Sequence, residues 1–230
     1  MPVPAHELTR LPLLTGLPQV TLAHLAQNAT ERSFAKREVV LQKGGEGTSF
    51  CFLLEGRLQG VDFTADGREV GIYFVSPGDY FGDLSVIDGQ PHPIYVTAVS
   101  RSRVVFVPRE LIRPILFAHP RVAETLCTGL SQRLRQVSGQ RRILGLANPL
   151  QRVCAQLELL FVRSPEGKVQ VMNAPTHQEI AIMINASRET VTRVFQFLQS
   201  RGIVERNGNH LYVEDPGFLE EVAAGRRQPE

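Results

Sequence analysis

The sequence predicts an α+β chain: a β jelly roll first, a long helix after it, and a winged helix-turn-helix at the C-terminal end. Three observations carry this. Between residues 34 and 107, short β-branched and aromatic runs are punctuated by glycine turns. From 109 to 146 glycine thins out and apolar residues recur at steps of three and four. From Thr176 onward a capped helix pair is followed by a hairpin pattern.

Residues 8–30 read as short helices, with Leu22, Leu25 and Ala26 at helical spacing and Pro12 and Pro18 punctuating the entry. In the β region the turns are Gly44-Gly45-Glu46-Gly47, Glu55-Gly56, Asp66-Gly67, Pro77-Gly78 and Asp88-Gly89. Asp66-Gly67 stands between two alternating segments, 58–63 and 70–75, and predicts a two-residue hairpin. The long helix follows Pro108. Cys127, Leu130, Leu134, Val137, Arg141 and Leu144 form an a/d seam on it, while Gln132, Arg133, Arg135, Gln136 and Arg142 share the face expected to meet water. The seam fits a dimer interface, with packing of the helix on its own barrel as the alternative; Arg141 must snorkel, pair, or mark where two helices diverge.

Asn148-Pro149 ends that helix and starts another, since Asn caps well and Pro suits the first helical turn. Val153, Leu157 and Leu160 then lie on one face of a helix over 151–161, and the polar loop 164–168 leads into a strand over 169–172. Thr176-His177-Gln178-Glu179 is a capping box opening a short helix with Ile180, Ala181 and Ile184 inward. Asn185-Ala186 turns the chain and Ser187 caps a second helix, with Val191, Val194, Phe195 and Leu198 inward. Arg188, Glu189, Thr192 and Arg193 share its opposite face, where long polar side chains near a helix N-terminus can reach base edges. Arg can bond guanine O6 and N7 together, and Glu can accept from cytosine N4. Strand, Asn207-Gly208 turn and strand over 203–213 read as a wing.

With 43% hydrophobic and 21% charged residues and a formal charge of +2 over 230 residues, composition is that of an ordinary globular protein. Affinity for nucleic acid must then come from locally placed charge. Cys51, Cys127 and Cys154 are scattered among apolar neighbours and read as small buried hydrophobes in a reducing compartment. With no apolar run near the about 20 residues that span a bilayer, and no signal-peptide start, a soluble cytoplasmic protein away from membranes is expected.

The run Thr176 to Arg193, with Glu55-Gly56-Arg57 and Pro77-Gly78-Asp79-Tyr80-Phe81-Gly82-Asp83-Leu84, resembles the bacterial cyclic-AMP receptor/FNR (CRP/FNR) superfamily over essentially the whole chain. The resemblance implies a cyclic-nucleotide-binding-like jelly roll that senses an effector over 1–108, a dimerisation helix over 109–147, and a DNA-binding winged helix-turn-helix over 148–230. It implies a homodimer on palindromic promoter DNA, with RNA polymerase as a further partner. By match, Arg188, Glu189 and Arg193 are the base readers, with Thr192 on the same face as a further DNA-binding candidate, and Thr176, His177 and Ser187 are candidate phosphate contacts. The dimer interface is expected at Cys127, Leu130, Leu134, Val137 and Leu144.

The matching effector pocket comprises Gly82, Asp83, Leu84, His92, Pro93, Val137 and Ser138. Nucleotide-binding members carry an arginine where His92 stands, a hydroxyl where Pro93 stands, and a Thr-Ser pair at Val137-Ser138. A mostly neutral imidazole does not replace a guanidinium on a phosphate, so an effector other than cyclic AMP is expected. A cyclic-nucleotide-dependent regulator with an atypical pocket is the alternative. Three scattered cysteines do not suit an iron–sulfur cluster. Haem would need His92 or Cys51 as axial ligand, and a lone barrel histidine more often serves as a surface or hydrogen-bonded residue. The identity of any small-molecule effector stays open. No catalytic residue or metal site is expected: a cupin-like barrel enzyme needs two or three histidines, and His92 is the only one between 34 and 107.

Overall fold

The computed structural model describes residues 3–65, 67, 69–164 and 167–227. The chain divides into two compact units, residues 1–62 with 72–134, and residues 63–71 with 135–230. The predicted N-terminal start at Met1-Pro2, Asp66 of the predicted hairpin turn, and Pro165-Glu166 of the predicted polar loop lie outside the described residues.

In the first unit α1 (Ala5–Thr9), a 3-10 turn (Pro12–Leu14) and α2 (Gln19–Asn28) precede the barrel. The barrel strands are β1 (Thr30–Phe34), β2 (Val39–Leu41), β3 (Ser49–Glu55), β4 (Leu58–Phe63), β5 (Glu69–Val75), β6 (Tyr80–Phe81), β7 (Tyr95–Ala98) and β8 (Ser102–Pro108). They form two four-stranded sheets, β1-β8-β3-β6 and β2-β7-β4-β5, as a jelly roll requires. The neighbours β4 and β5 flank the predicted Asp66-Gly67 turn.

Within the first sheet, β3 is buried on both faces. On β3, Phe50 and Phe52 join a core built with Leu8, Leu14 and Leu25, while Cys51 and Leu53 join a second core with Phe34, Leu58 and Phe81. That is why β3 reads as an unbroken apolar run rather than an alternating one. Fully burying each such phenylalanine contributes about 1.5–3 kcal/mol. Between β6 and β7 a short helix, α3 (Asp83–Asp88), interrupts the strands, bracketed by Gly82 (φ 73°) and Gly89 (φ 78°) in the left-handed region.

The expected single helix over 109–146 is two helices, α4 (Arg109–Ala118) and α5 (Pro120–Leu144). His119 between them is extended (φ −107°, ψ 108°), as the residue before a proline prefers. Val122 and Leu126 of α5 are buried in the helix-side core, and Leu130 packs against its margin. The Tyr80 hydroxyl donates to Leu126 O at 3.2 Å. A Cβ at Gly129 would lie 2.1 Å from that same hydroxyl, so only glycine fits where α5 crosses Tyr80.

The second unit contains α6 (Pro149–Glu158), β9 (Val162–Arg163), β10 (Val169–Val171), α7 (His177–Met183), α8 (Arg188–Ser200), β11 (Val204–Asn207), β12 (His210–Val213) and α9 (Pro216–Ala223). Asn148 caps α6, its Oδ1 accepting from Gln151 N at 2.8 Å. The strands form one sheet, β11-β12-β10-β9, and α6 packs on α8 and α9. Among the described residues no helix is long and apolar enough to cross a membrane.

Candidate nucleic-acid interface and barrel site

The caps predicted for the helix pair are formed. Thr176 Oγ1 accepts from Glu179 N at 3.3 Å and the Glu179 carboxylate accepts from Thr176 N. Ser187 Oγ accepts from Thr190 N at 3.1 Å, opening α8. Asn185 takes a positive φ of 51° at the turn. Ile180, Ala181, Ile184, Val191, Phe195 and Leu198 are buried, and Val194 is half-buried. With the backbone satisfied and the apolar face seated, Arg188, Glu189 and Arg193 stand exposed at the N-terminal end of α8. The Glu189 carboxyl is held below its ordinary range by a backbone hydrogen bond and by Ser187, so it stays ionised.

His177 and Thr192 behave differently from those three. His177 Nδ1 lies 3.0 Å from Thr192 Oγ1, and its ring stacks on Phe195 at 4.6 Å and 24°. Burial lowers the imidazole pKa, and Arg206 and Arg188 lower it further, which keeps the ring neutral. These two side chains tie α7 to α8. Arg206 on β11 donates to Ala174 O at 3.1 Å, beside the start of α7.

On α5, Cys127 is exposed, Leu134 is 69% exposed and Val137 43%; Leu130 and Leu144 are half-buried. The expectation that all three cysteines are buried is therefore corrected at Cys127, which lies on the side of α5 away from the core carrying Val122 and Leu126. Cys51 and Cys154 are buried; burial pushes the Cys154 thiol up to about 12 and raises that of Cys51, on which Asp83 acts in the same direction.

Inside the barrel the sequence reading missed the principal feature. Arg133, expected on the water-facing side of the long helix, has only 24% of its side chain exposed, while that of Asp83 is 3% exposed. Arg133 Nη1 donates to Asp83 Oδ1 at 2.8 Å, and Nη2 donates to the Tyr80 carbonyl oxygen. The guanidinium also lies over the rings of Tyr80 (4.5 Å) and Tyr73 (5.7 Å). Burial works against the charge on Arg133, but Asp83 and the two tyrosines more than offset it and its pKa is raised. Burial pushes the Tyr73 hydroxyl up to about 12. Asp83 Oδ2 is buried without a hydrogen-bond partner among the described residues. Periodicity cannot separate a water-facing arginine from one that reaches sideways to a carboxylate fifty residues earlier.

His92, at the position of the missing pocket arginine, is buried, with Nδ1 2.9 Å from Ser85 Oγ and a pKa lowered by burial. Its backbone is bound on both sides: His92 N donates to Gly45 O at 2.9 Å and Gly44 N donates to His92 O at 2.8 Å. A Cβ at Gly47 would lie 2.3 Å from Ser85 Cβ, so this glycine loop closes tightly on α3. Leu84 and Pro93 are exposed, so neither side chain lies in the barrel core as a buried pocket wall would. Val137 and Ser138 belong to the second unit. Among the described residues no three His, Cys, Asp or Glu side chains are gathered as a metal site needs.

Residues 31–119 match the model of the cyclic nucleotide-binding domain, and 151–222 that of the Crp-like helix-turn-helix domain. Over 211 residues the chain is 27% identical to the CRP-like cAMP-activated global transcriptional regulator of Mycobacterium tuberculosis, covering 90% of this chain and 94% of the relative. It is 25% identical to the cyclic AMP receptor protein of Thermus thermophilus, covering 93% and 97%. Among solved structures, FixK2 from Bradyrhizobium japonicum superposes with a TM-score of 0.70 at 21% identity, covering 84% of this chain and 96% of that one; this likeness concerns the fold.

Proposed function

This chain belongs to the cyclic-AMP receptor/FNR superfamily of transcription regulators, and we propose that it works as a homodimer whose two α8 helices read the halves of a pseudo-palindromic promoter site. The observation that carries the reading is the capped, well-seated α8 with Arg188, Glu189 and Arg193 exposed at its N-terminal end. Arg188 and Arg193 suit guanine edges and Glu189 suits the cytosine amino group. The Thr176 and Ser187 hydroxyls lie at helix starts, where phosphates are favoured. His177 and Thr192 act one step back, holding α7 and α8 in register. Two copies pair through Cys127, Leu134, Val137 and Leu144, with Leu130 shared between this seam and the barrel core. RNA polymerase is the downstream partner, and the DNA places the protein in the cytoplasm. The relatives are transcription regulators, and we assign the chain no catalytic step.

Selection of duplexes from a random pool, followed by mobility shifts over a range of salt, tests the reading. Enrichment of an inverted repeat bound by a dimer is the expected result. Recovery of no preferred duplex overturns it.

For the barrel, cyclic AMP is not the effector. His92 is turned into a bond with Ser85, and the Arg133 guanidinium is already paired with Asp83. A cyclic phosphate would be buried without a compensating charge, at a cost of several kcal/mol. The second reading, a cyclic-AMP-dependent regulator with an atypical pocket, is favoured by the relatives' own names, one a cAMP-activated regulator and the other a cyclic AMP receptor protein. Titration calorimetry with cyclic AMP and cyclic GMP decides between them: no heat at micromolar ligand is expected, and micromolar binding that tightens DNA affinity establishes the second reading.

A further inference from the structure

We propose that Gln140 and Arg152 fix the orientation of the helix-turn-helix on the end of α5, and so set the spacing between half-sites that the dimer accepts. The inference rests on the dimeric DNA-binding reading above and goes beyond it to a geometric specificity. The chain divides inside α5: its residues up to 134 group with the barrel, and residues 135–144 group with the helix-turn-helix. Within that second unit the end of α5 is closely held. Gln140 is 6% exposed, and its Nε2 donates to the Met183 carbonyl oxygen. Ile143 is fully buried, and a Cβ at Gly139 would lie 3.2 Å from Leu159 at the end of α6. Arg152 of α6 donates through Nε to Leu146 O at 2.9 Å, just past α5, and through Nη1 to Ile184 O at 3.3 Å.

Met183 and Ile184 close α7, where the last carbonyl groups have no helical N–H to accept from. The chain then turns at Asn185 (φ 51°), and α8 begins at Arg188. Both fasteners therefore grip the stretch whose displacement would swing α8 as a whole. The cap at Ser187 and the apolar seat of Val191, Phe195 and Leu198 are made by other groups and do not depend on them. Gln140 and Arg152 act on where the reading helix points, and Arg188, Glu189 and Arg193 on what it reads. Two half-sites are engaged together only when their separation matches that of the two α8 helices. One added base pair moves a half-site about 3.4 Å along the duplex and about 35° around it. A stiffly mounted α8 rejects that displacement, and a loosely mounted one follows it.

The test uses the full chain and an inverted repeat that the wild type has selected from a random pool. Competition is measured with duplexes whose spacer is one base pair longer or shorter, and with duplexes carrying one wrong base in each half-site. Wild type should lose about tenfold or more on either spacer change. Gln140→Leu combined with Arg152→Ala should remain dimeric by sedimentation and bind the selected duplex about tenfold more weakly. Its penalty for a changed spacer should fall below about threefold, while its penalty for a wrong base stays at the wild-type value. Gln140→Glu keeps the size of the side chain without its N–H donors and should shift in the same direction. Arg152→Lys keeps a cation but not the fork that spans two carbonyls, and should fall between wild type and the double variant. A merely structural loss would weaken every duplex alike. The proposal is overturned if the variants keep the wild-type spacer penalty, or if base discrimination declines in step with it. It is overturned equally if the variants are monomers, or if the wild type accepts all spacers alike. Should the double variant not fold, Gln140→Glu and Arg152→Lys decide by the same comparison. Should the wild type select no duplex, it is the DNA-binding reading that fails.

Discussion

Arginine is used in opposite ways in two regions of this molecule. On α8 the backbone is satisfied by Ser187 and the apolar face by Val191, Phe195 and Leu198, so Arg188 and Arg193 are left facing solvent. In the barrel, Arg133 meets a buried carboxylate, a carbonyl and two aromatic rings, and little of it faces outward. Where the protein's own groups take up a charge, it is held within the fold; where they leave it, the surface is prepared for a partner. The same contrast holds within the helix pair, between Arg188 and the mutually engaged His177 and Thr192.

The comparison breaks most visibly if α8 is presented once instead of twice. Leu134→Asp would place a charge in the exposed apolar seam of α5, and should yield monomers with promoter affinity reduced at least about a hundredfold, since bivalent engagement is lost. Sedimentation together with a mobility shift measures both; an intact dimer would move the interface elsewhere. Next in size are Arg188→Ala and Arg193→Ala. Each should cost about 1–3 kcal/mol of specific binding, with a smaller change in non-specific binding at low salt. Competition between matched and scrambled duplexes reads the difference, and full discrimination by both variants would remove these residues from the readout.

His177→Phe keeps a ring against Phe195 but gives up the bond to Thr192, and should cost about 1 kcal/mol in urea unfolding. An unchanged midpoint would mean that the two helices are held by packing alone. The smallest effect is in pH. Burial lowers the pKa of both His92 and His177, so their neutral forms are favoured by folding. The stability this contributes is fully present above the unfolded value of about 6.5 and is lost as pH falls through the depressed folded values. His92→Gln should flatten the decline of stability on acidification from pH 7 to 5; a slope identical to wild type would rule out His92 as a contributor.

What could be read in the sequence was whatever is written locally. The Thr176–Glu179 capping box, the Ser187 cap and the Asn148 cap each lie within three residues of their partners, and each is formed as read. Pro120 carried the break between α4 and α5, and Asp215-Pro216 carried α9, whose first turn Asp215 caps at 2.9 Å; both signals were present and passed over. The Arg133–Asp83 pair was not legible at all, because a periodic pattern assigns a face and says nothing of which carboxylate that face will meet. Arg103, which gathers Glu7, Glu31 and Glu55 from three distant segments, escaped for the same reason. The resemblance supplied the pocket positions, but it could not tell that His92 would turn to Ser85.

Gly129 has a practical consequence for anyone wishing to rebuild this protein. The hydroxyl of Tyr80 occupies the space where any side chain at 129 would begin, so the clearance between α5 and the barrel is set by a single absent methyl group. Alanine there acts as a wedge, and Tyr80→Phe removes the atom the wedge strikes. Together the two substitutions form an adjustable spacer, one opening the helix from the barrel and the other letting it settle back, about one turn from the arginine that holds it.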